Sequence, residues 1–93
     1  MKTFNDLAFY MHPLYKGIAT RCFFDNGYGV SVVKHENSYG GNKGLFELAV
    51  LEGTAENFVI TYSTGITEDV LGNLSEADVT EQMIKVQNLP SIK

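Results

Sequence analysis

A chain of 93 residues, 44% of them hydrophobic, can bury one core and is too short for two domains, a large doubly wound sheet or an eight-stranded (β/α) barrel. A single cysteine excludes an intramolecular disulfide, and no apolar run reaches the ~20 residues that span a bilayer. Asn5 and Asp6 interrupt the N-terminal stretch that would have to be apolar in a signal peptide, so the sequence predicts a soluble cytoplasmic protein. The net charge of −4 is unevenly distributed, because residues 44–84 hold eight acids and no base, which disfavours direct contact with nucleic-acid phosphates.

Residues 1–16 are expected to form an N-terminal arm. The His12-Pro13 pair interrupts regular structure there, because proline has no backbone N–H to donate. The residues before it are apolar enough to add a short strand to a sheet. These residues are Phe4, Leu7, Phe9 and Tyr10.

A tight hairpin is expected within residues 17–34. Two runs rich in strand-forming residues flank Asn26 and Gly27, a pair that tolerates the positive φ angles of a type I′ turn. A two-residue turn at this pair predicts that Phe23 lies opposite Val30. The pattern leaves open which face of the hairpin belongs to the core.

A second hairpin is expected after a loop. Residues 35–44 hold three glycines and two asparagines, a composition typical of a mobile loop. Alternating apolar residues then predict strands at 45–51 and 57–63, joined by a turn over 52–56. The antiparallel sheet therefore covers residues 17–63. The side chains expected to face its core are Phe46, Leu48, Val50, Phe58, Ile60 and Tyr62.

The periodicity changes from strand-like to helical towards the C-terminus. Residues 64–74 are expected to form a capped turn that Gly72 ends. Ser75 is a typical helix N-cap, and acids follow in the first turn, where the helix dipole favours negative charge. An apolar stripe then predicts a helix over 75–89; its members are Val79, Met83 and Val86. The predicted fold class is α+β, an antiparallel sheet of four to five strands with this single C-terminal helix packed on a face.

No combination of residues indicates catalysis or a metal site, so the sequence predicts neither an enzyme nor a cofactor. His12 and His35 are expected on separate loops and Cys22 inside a strand, which leaves no cluster of metal ligands. Cys22 would act as a nucleophile only with His35 held beside it. The paired carboxylates near the C-terminus lie where helix N-termini favour acids, so capping accounts for them.

The remaining candidate for function is an interaction surface. Five acids within the fourteen residues 68–81 surround two predicted helix starts. They either cap those helices or form an acidic surface that imitates a row of phosphates. Tyrosines beside glycines in exposed loops are good contact residues. The candidate partner-binding residues are Glu68, Asp69, Glu76, Asp78 and Glu81, with Tyr39 and Asn42 from the loop.

Four blocks, in order, resemble a family of small phage-encoded proteins of unknown function. The blocks are residues 26–33 (NGYGVSVV), 38–41 (SYGG), 45–51 (LFELAVL) and 66–72 (ITEDVLG) followed by Leu74. The similarity extends from about Phe4 to Leu89. The family tends to have proline where this chain has Gly65, a difference that concerns the rigidity of the turn rather than the fold. The resemblance implies a viral accessory protein in the cytoplasm of a bacterial host, and it brings no catalytic motif.

The resemblance and the acidic residues together predict a non-enzymatic protein, monomeric or homodimeric, that binds a host protein with a basic surface. By analogy with other small acidic phage proteins, the expected role is inhibition of a defence or nucleic-acid-processing complex, as an anti-CRISPR-like protein or a nuclease inhibitor. One alternative is a virion or oligomer-forming component that contacts its neighbours through an exposed sheet face. Another is a nucleotide-binding protein, which would require Arg21, Lys34 and Lys43 to converge.

Overall fold

The computed structural model describes residues 1–66 and 70–92, in which an antiparallel sheet packs against one C-terminal helix. This arrangement confirms the predicted α+β class. The strands are β1 (Tyr10–Met11), β2 (Gly17–Phe23), β3 (Tyr28–His35), β4 (Phe46–Thr54), β5 (Asn57–Ile60) and β6 (Leu71–Leu74), and the helix is α1 (Glu76–Gln87). Short 3₁₀ turns lie at Phe4–Asp6 and Gly41–Lys43.

The strands lie across the sheet in the order β1-β2-β3-β4-β5. Strand β4 is nine residues long and pairs with β3 along one edge. Along its other edge it pairs with β5 near its C-terminal end and with β6 near its N-terminal end, where Leu74 lies opposite Phe46. The prediction of a capped turn over residues 64–74 is therefore wrong for Leu71–Leu74, which form β6. Local sequence did not reveal this strand, because its pairing with β4 joins residues far apart in the chain. Residues 67–69 of the predicted turn lie outside the described residues.

The first hairpin differs by one residue from the predicted register. Phe23 pairs with Gly29, and the prediction that it lies opposite Val30 is wrong, because the loop holds three residues rather than two. Of the Asn26-Gly27 pair only Gly27 has a positive φ, 90°, whereas a type I′ turn needs a positive φ at both positions. Val30 and Val32 belong to the core with the helix, which decides the open question of the faces, and the shifted register sets Cys22 rather than Phe23 opposite Val30.

The core lies between the helix and one face of the sheet. The predicted apolar stripe of α1 and the predicted alternation of β4 are both confirmed there. Each fully buried aliphatic side chain in this layer contributes about 1.5–3 kcal/mol relative to an exposed one. The buried residues of the layer are Val30, Val32, Phe46, Leu48, Val50, Val79, Met83 and Val86.

The opposite face of the sheet carries the side chains of β5 that were expected in the core. Ile60 pairs with Leu51 and Phe58 with Gly53, and these pairs alternate with the residues that face the helix. Ile60 and Tyr62 are both 48% exposed, so their predicted inward orientation is wrong. The predicted alternation along β5 is correct, but the pairing of β5 with β4 determines which of its two faces α1 covers.

Both ends of α1 are held by polar side chains. Ser75 is the N-cap, as predicted, and the helix ends at Gln87, two residues before the predicted end. At that end the Nδ2 of Asn26 donates hydrogen bonds to the backbone oxygens of Val86 (2.9 Å) and Leu89 (3.2 Å). The first hairpin therefore satisfies carbonyls that the last turn of a helix leaves without an intrahelical partner.

Candidate functional site

A reciprocal capping box orders the start of α1. The backbone N–H of Ser75 donates to Oδ2 of Asp78 (3.0 Å), and the backbone N–H of Asp78 donates to Oγ of Ser75 (3.1 Å). The hydrogen bonds from Ser75, chiefly that of its backbone N–H, hold the pKa of the Asp78 carboxyl below its ordinary value. Asp78, a predicted partner-binding residue, thus has a defined structural role as a helix cap.

Two other predicted acids project from the same helix. Glu76 is its first residue and Glu81 lies five positions later, and both are exposed. Glu76 lies in the first turn, where the positive end of the helix dipole favours a carboxylate. Glu68 and Asp69 lie outside the described residues.

The loop between β3 and β4 packs beside β6 and brings Tyr39 close to the start of α1. The backbone N–H of Asn73 donates to the oxygen of Tyr39 (3.2 Å), and the N–H of Tyr39 donates to Oε1 of Glu47 (3.1 Å). The side chain of Tyr39 fills the space where Gly72 lacks one. The tyrosine nevertheless remains 61% exposed, and Asn42 is exposed in the following 3₁₀ turn.

Hydrogen bonds within this loop define its conformation. Gly40, at φ 84°, accepts from the backbone N–H groups of Lys43 and Leu45, both at 2.9 Å. Ser38 Oγ accepts from the N–H of His35 and donates to its carbonyl oxygen, each at 2.9 Å. The mobility predicted for residues 35–44 stays a prediction. Tyr39 and Asn42 on the loop and Glu76 and Glu81 in the first half of α1 are all exposed in the described conformation, and these four residues together are called the loop–helix surface.

The rings of His12 and His35 are in contact, and His35 is the last residue of β3, so the expectation that the two histidines lie apart on separate loops is wrong. Pairing of β2 with β3 places His35 opposite Gly17, beside the turn that holds His12. The ring centroids of His12 and His35 are 4.6 Å apart, and the ring of Tyr15 stacks on His35 at 4.8 Å. The Nδ1 of His12 accepts from the backbone N–H groups of Leu14 and Tyr15 at 3.1 and 3.2 Å. This cluster has no sequence signal, since it depends on strand pairing.

The cluster lacks a third metal ligand. In residues 1–66 and 70–92 there is no group of three or more His, Cys, Asp or Glu side chains that could hold a metal ion. Imidazole Nδ1 of His35 accepts from the N–H of Asn37 (3.1 Å), as that of His12 does in its own turn. Both rings therefore serve first as acceptors for local backbone groups.

Cys22 lies far from His35, which contradicts the thiol–histidine arrangement that the sequence left open. Cys22 pairs with Val30 and His35 pairs with Gly17, five residues away along β2, a separation of roughly 17 Å at the rise of a strand. The thiol is half-buried on the helix side. Burial raises its pKa, an effect that the positive charge of Lys2 partly opposes.

Two of the three bases that a nucleotide site would need, Arg21 and Lys34, lie on opposite faces of the sheet. The guanidinium of Arg21 lies 4.8 Å from the ring centroid of Phe58, on the face away from the helix. Nζ of Lys34 lies 4.9 Å from the ring centroid of Phe46, on the helix side. A surface depression of about 300 Å³ elsewhere has a single lysine in its lining. Its lining residues are Met1, Lys2, Phe23, Phe24, Asp25 and Gln87.

The fold and the exposed surface define a small α+β domain. None of its described helices is both long enough and apolar enough to cross a membrane. A scan against protein-family models gives no match, and neither the search of curated proteins nor the search of solved structures finds a similar chain. Arguments about function therefore depend on the surface of this chain itself.

Proposed function

We propose that the protein is a non-enzymatic binding protein whose loop–helix surface contacts a basic surface of a partner protein. Glu76 and Glu81 supply the charge, and Tyr39 and Asn42 supply the contacts of the loop. Glu68 and Asp69, which precede β6 in the chain, are further proposed partner-binding acids. Asp78 fixes the start of the helix that presents the acids.

Tyr39 is the single observation that carries this proposal furthest. Its backbone is hydrogen-bonded on both sides, to Glu47 and to Asn73, while its side chain stays 61% exposed. An exposed aromatic side chain on an ordered backbone loses little conformational entropy on binding, which is why tyrosine is common among residues that dominate interfaces.

The charge of this part of the chain favours a basic partner. Residues 44–84 contain no lysine or arginine, and the first base after that stretch is Lys85, four positions after Glu81 on α1. Carboxylates bind arginine through paired, charge-assisted hydrogen bonds, the same contacts that phosphates make. A basic groove that binds nucleic acid is therefore a suitable target, and the protein would occlude it by charge and by bulk.

In this proposal the protein is a phage accessory factor that acts in the cytoplasm of a bacterial host. It inhibits a defence or nucleic-acid-processing complex, in the manner of an anti-CRISPR protein or a nuclease inhibitor. The resemblance to small phage-encoded proteins supports the viral setting, and the loop–helix surface supports the mode of action.

The first experiment captures the partner and asks whether binding competes with nucleic acid. Tagged protein is used to isolate its partner from infected bacterial cells, and the purified partner is then titrated with labelled DNA or RNA in the presence of the protein. We expect a stoichiometric complex in which nucleic-acid binding is lost. A complex that binds nucleic acid as tightly as the free partner would contradict the occlusion mechanism.

Paired charge reversals test which surface is responsible. The variant Glu76→Lys/Glu81→Lys changes the loop–helix surface and leaves the cap residue Asp78 in place. The matched control is Asp25→Lys/Glu56→Lys, which reverses two exposed acids in turns at the other end of the sheet. Both variants change the net charge from −4 to 0, so a loss of binding in the first alone identifies the surface.

A virion or oligomer-forming component is the second candidate function. It is favoured by the sheet face away from α1, where Ile60 and Tyr62 remain 48% exposed. Size-exclusion chromatography with light scattering separates the two candidates. A large symmetric assembly would favour the structural role, and a monomer or dimer favours the binding protein.

A further inference from the structure

Among residues 1–66 and 70–92, no backbone group pairs with the outer edge of β5. Thr61 continues this strand, and its N–H donates to the oxygen of Val50 on β4 (2.9 Å). Alternate residues of a strand direct their N–H and C=O to opposite sides. Phe58 and Ile60 therefore direct theirs away from β4, and Tyr62, just beyond the strand, is the next residue in that alternation. These donors and acceptors can pair with another strand.

Within the part of the chain that the structure describes, the other edges of the sheet are protected and this one is not. Strand β1 has only two residues, and Pro13 follows shortly after it. The loop covers β6, where the N–H of Asn73 donates to Tyr39. Residues 57–66, by contrast, contain neither a charged residue nor a proline, the usual devices against edge pairing.

The side chains along this edge are apolar and exposed. Val59 is 61% exposed, and Ile60 and Tyr62 are each 48% exposed. In a chain of net charge −4, an uncharged segment of ten residues is the place where two copies can approach without opposing like charges. The edge is thus suited to a second copy of the same strand.

We propose that β5 pairs antiparallel with β5 of a second copy, around a two-fold axis at Ile60. This register sets Phe58 opposite Tyr62 of the partner subunit, an aromatic pair of the kind that stabilises antiparallel sheets. It also sets Glu56 opposite Thr64 of the partner subunit, so no two acids face each other. The two sheets then form one continuous sheet. The pairing uses none of the four residues of the loop–helix surface, so the proposal does not rest on the proposed function.

The expected dimer is weak. Paired edges of this length bury less than the roughly 1,200 Å² of a standard interface, and such small contacts are typical of transient association. The association is therefore measured by sedimentation velocity between about 1 and 500 μM, the range in which weak complexes of about 1 mM to 1 μM affinity are populated.

A charge at the two-fold axis tests the contact. In Ile60→Lys the two introduced lysines lie opposite each other, and we expect the dissociation constant of the dimer to rise at least tenfold. Ile84→Lys makes the same change at an exposed apolar residue on the outer side of α1 and should leave the constant unchanged. Circular dichroism of both variants checks that the fold is intact.

A disulfide at the axis gives a positive signal that does not depend on loss of binding. In a Cys22→Ser background, Ile60→Cys places two thiols on paired residues whose Cα atoms are about 5.5 Å apart, within the range of a disulfide. We expect a covalent dimer to form on mild oxidation much faster than with Ile84→Cys in the same background. Two results would overturn the proposal. One is an equal rate of oxidation for the two cysteine variants. The other is a wild-type protein that stays monomeric up to 500 μM, a concentration near the millimolar limit of weak association.

Discussion

Asn26 joins the first hairpin to the end of α1, and its replacement tests how the helix is fixed to the sheet. Its Nδ2 donates to the backbone oxygens of Val86 (2.9 Å), Leu89 (3.2 Å) and Gln87 (3.4 Å), and its Oδ1 accepts from the N–H of Tyr28 (3.1 Å). Asn26→Asp keeps the shape of the side chain and replaces the donor with an oxygen. That oxygen then faces carbonyl oxygens at the negative end of the helix dipole.

The expected loss of stability follows from the hydrogen bonds removed. Each typical intramolecular hydrogen bond contributes about 0.5–1.5 kcal/mol net, and the two shorter bonds of Nδ2 are lost. A negative charge at a helix C-terminus adds about 0.3–1 kcal/mol of destabilisation. We therefore expect Asn26→Asp to lower the free energy of unfolding by about 2–3 kcal/mol, which for a domain of this size is about 8–24 °C in Tm.

Urea unfolding followed by circular dichroism measures this change, with Asn88→Asp as the control. Asn88 is exposed at the C-cap of α1, so the same charge is introduced beside the same helix end without loss of the bridge to the hairpin. Asn88→Asp should cost less than about 1 kcal/mol. If Asn26→Asp costs no more than Asn88→Asp, the bridge does not hold the helix and the reasoning is refuted.

Three further predictions concern the cap and the cysteine. Ser75→Ala removes the capping box and should cost about 1 kcal/mol in urea unfolding; an unchanged midpoint would contradict the role of the cap. Because hydrogen bonds lower the pKa of Asp78, its stabilising contribution is full above the ordinary aspartate range and is lost as pH falls through the lowered pKa. Asp78→Asn should therefore weaken the acid dependence of stability below about pH 4. Burial raises the pKa of Cys22, so a thiol reagent should label the native protein more slowly than the unfolded chain at neutral pH, and equal rates would contradict it.

The sequence predicts the helix well because the signals are local. Ser75 at the N-cap and the stripe of Val79, Met83 and Val86 all lie within twelve residues, and the structure confirms each of them. Alternation in β4 is equally local, and it correctly separates Phe46 and its neighbours from the residues of the other face.

Features that depend on pairing between distant segments were not predictable. Asn26 was interpreted as a turn residue from its neighbour Gly27, whereas its side chain is engaged with a helix end 60 residues away. The register of the first hairpin also differs from the predicted one, because its loop holds three residues rather than two. β6 and the outward orientation of Ile60 likewise follow from pairing with β4, which no local pattern encodes.

The candidate site was only partly predictable for the same reason. Composition identified Glu76 and Glu81 as acids on a helix, and both are exposed there. The position of Tyr39 beside the start of that helix depends on the hydrogen bond from Asn73, and the meeting of His12 with His35 depends on the pairing of β2 with β3.

The affinity of the captured partner for three forms of the protein tests the proposed function most directly. Isothermal titration calorimetry at about 0.15 M salt compares the wild type, Glu76→Lys/Glu81→Lys and the control Asp25→Lys/Glu56→Lys. The two introduced lysines would face a basic surface of the partner, and such like-charge contacts cost several kcal/mol. The first variant should therefore bind at least about 100-fold more weakly, and the affinity of the control should stay within about threefold of the wild type. Equal affinities for the wild type and the first variant would contradict the account.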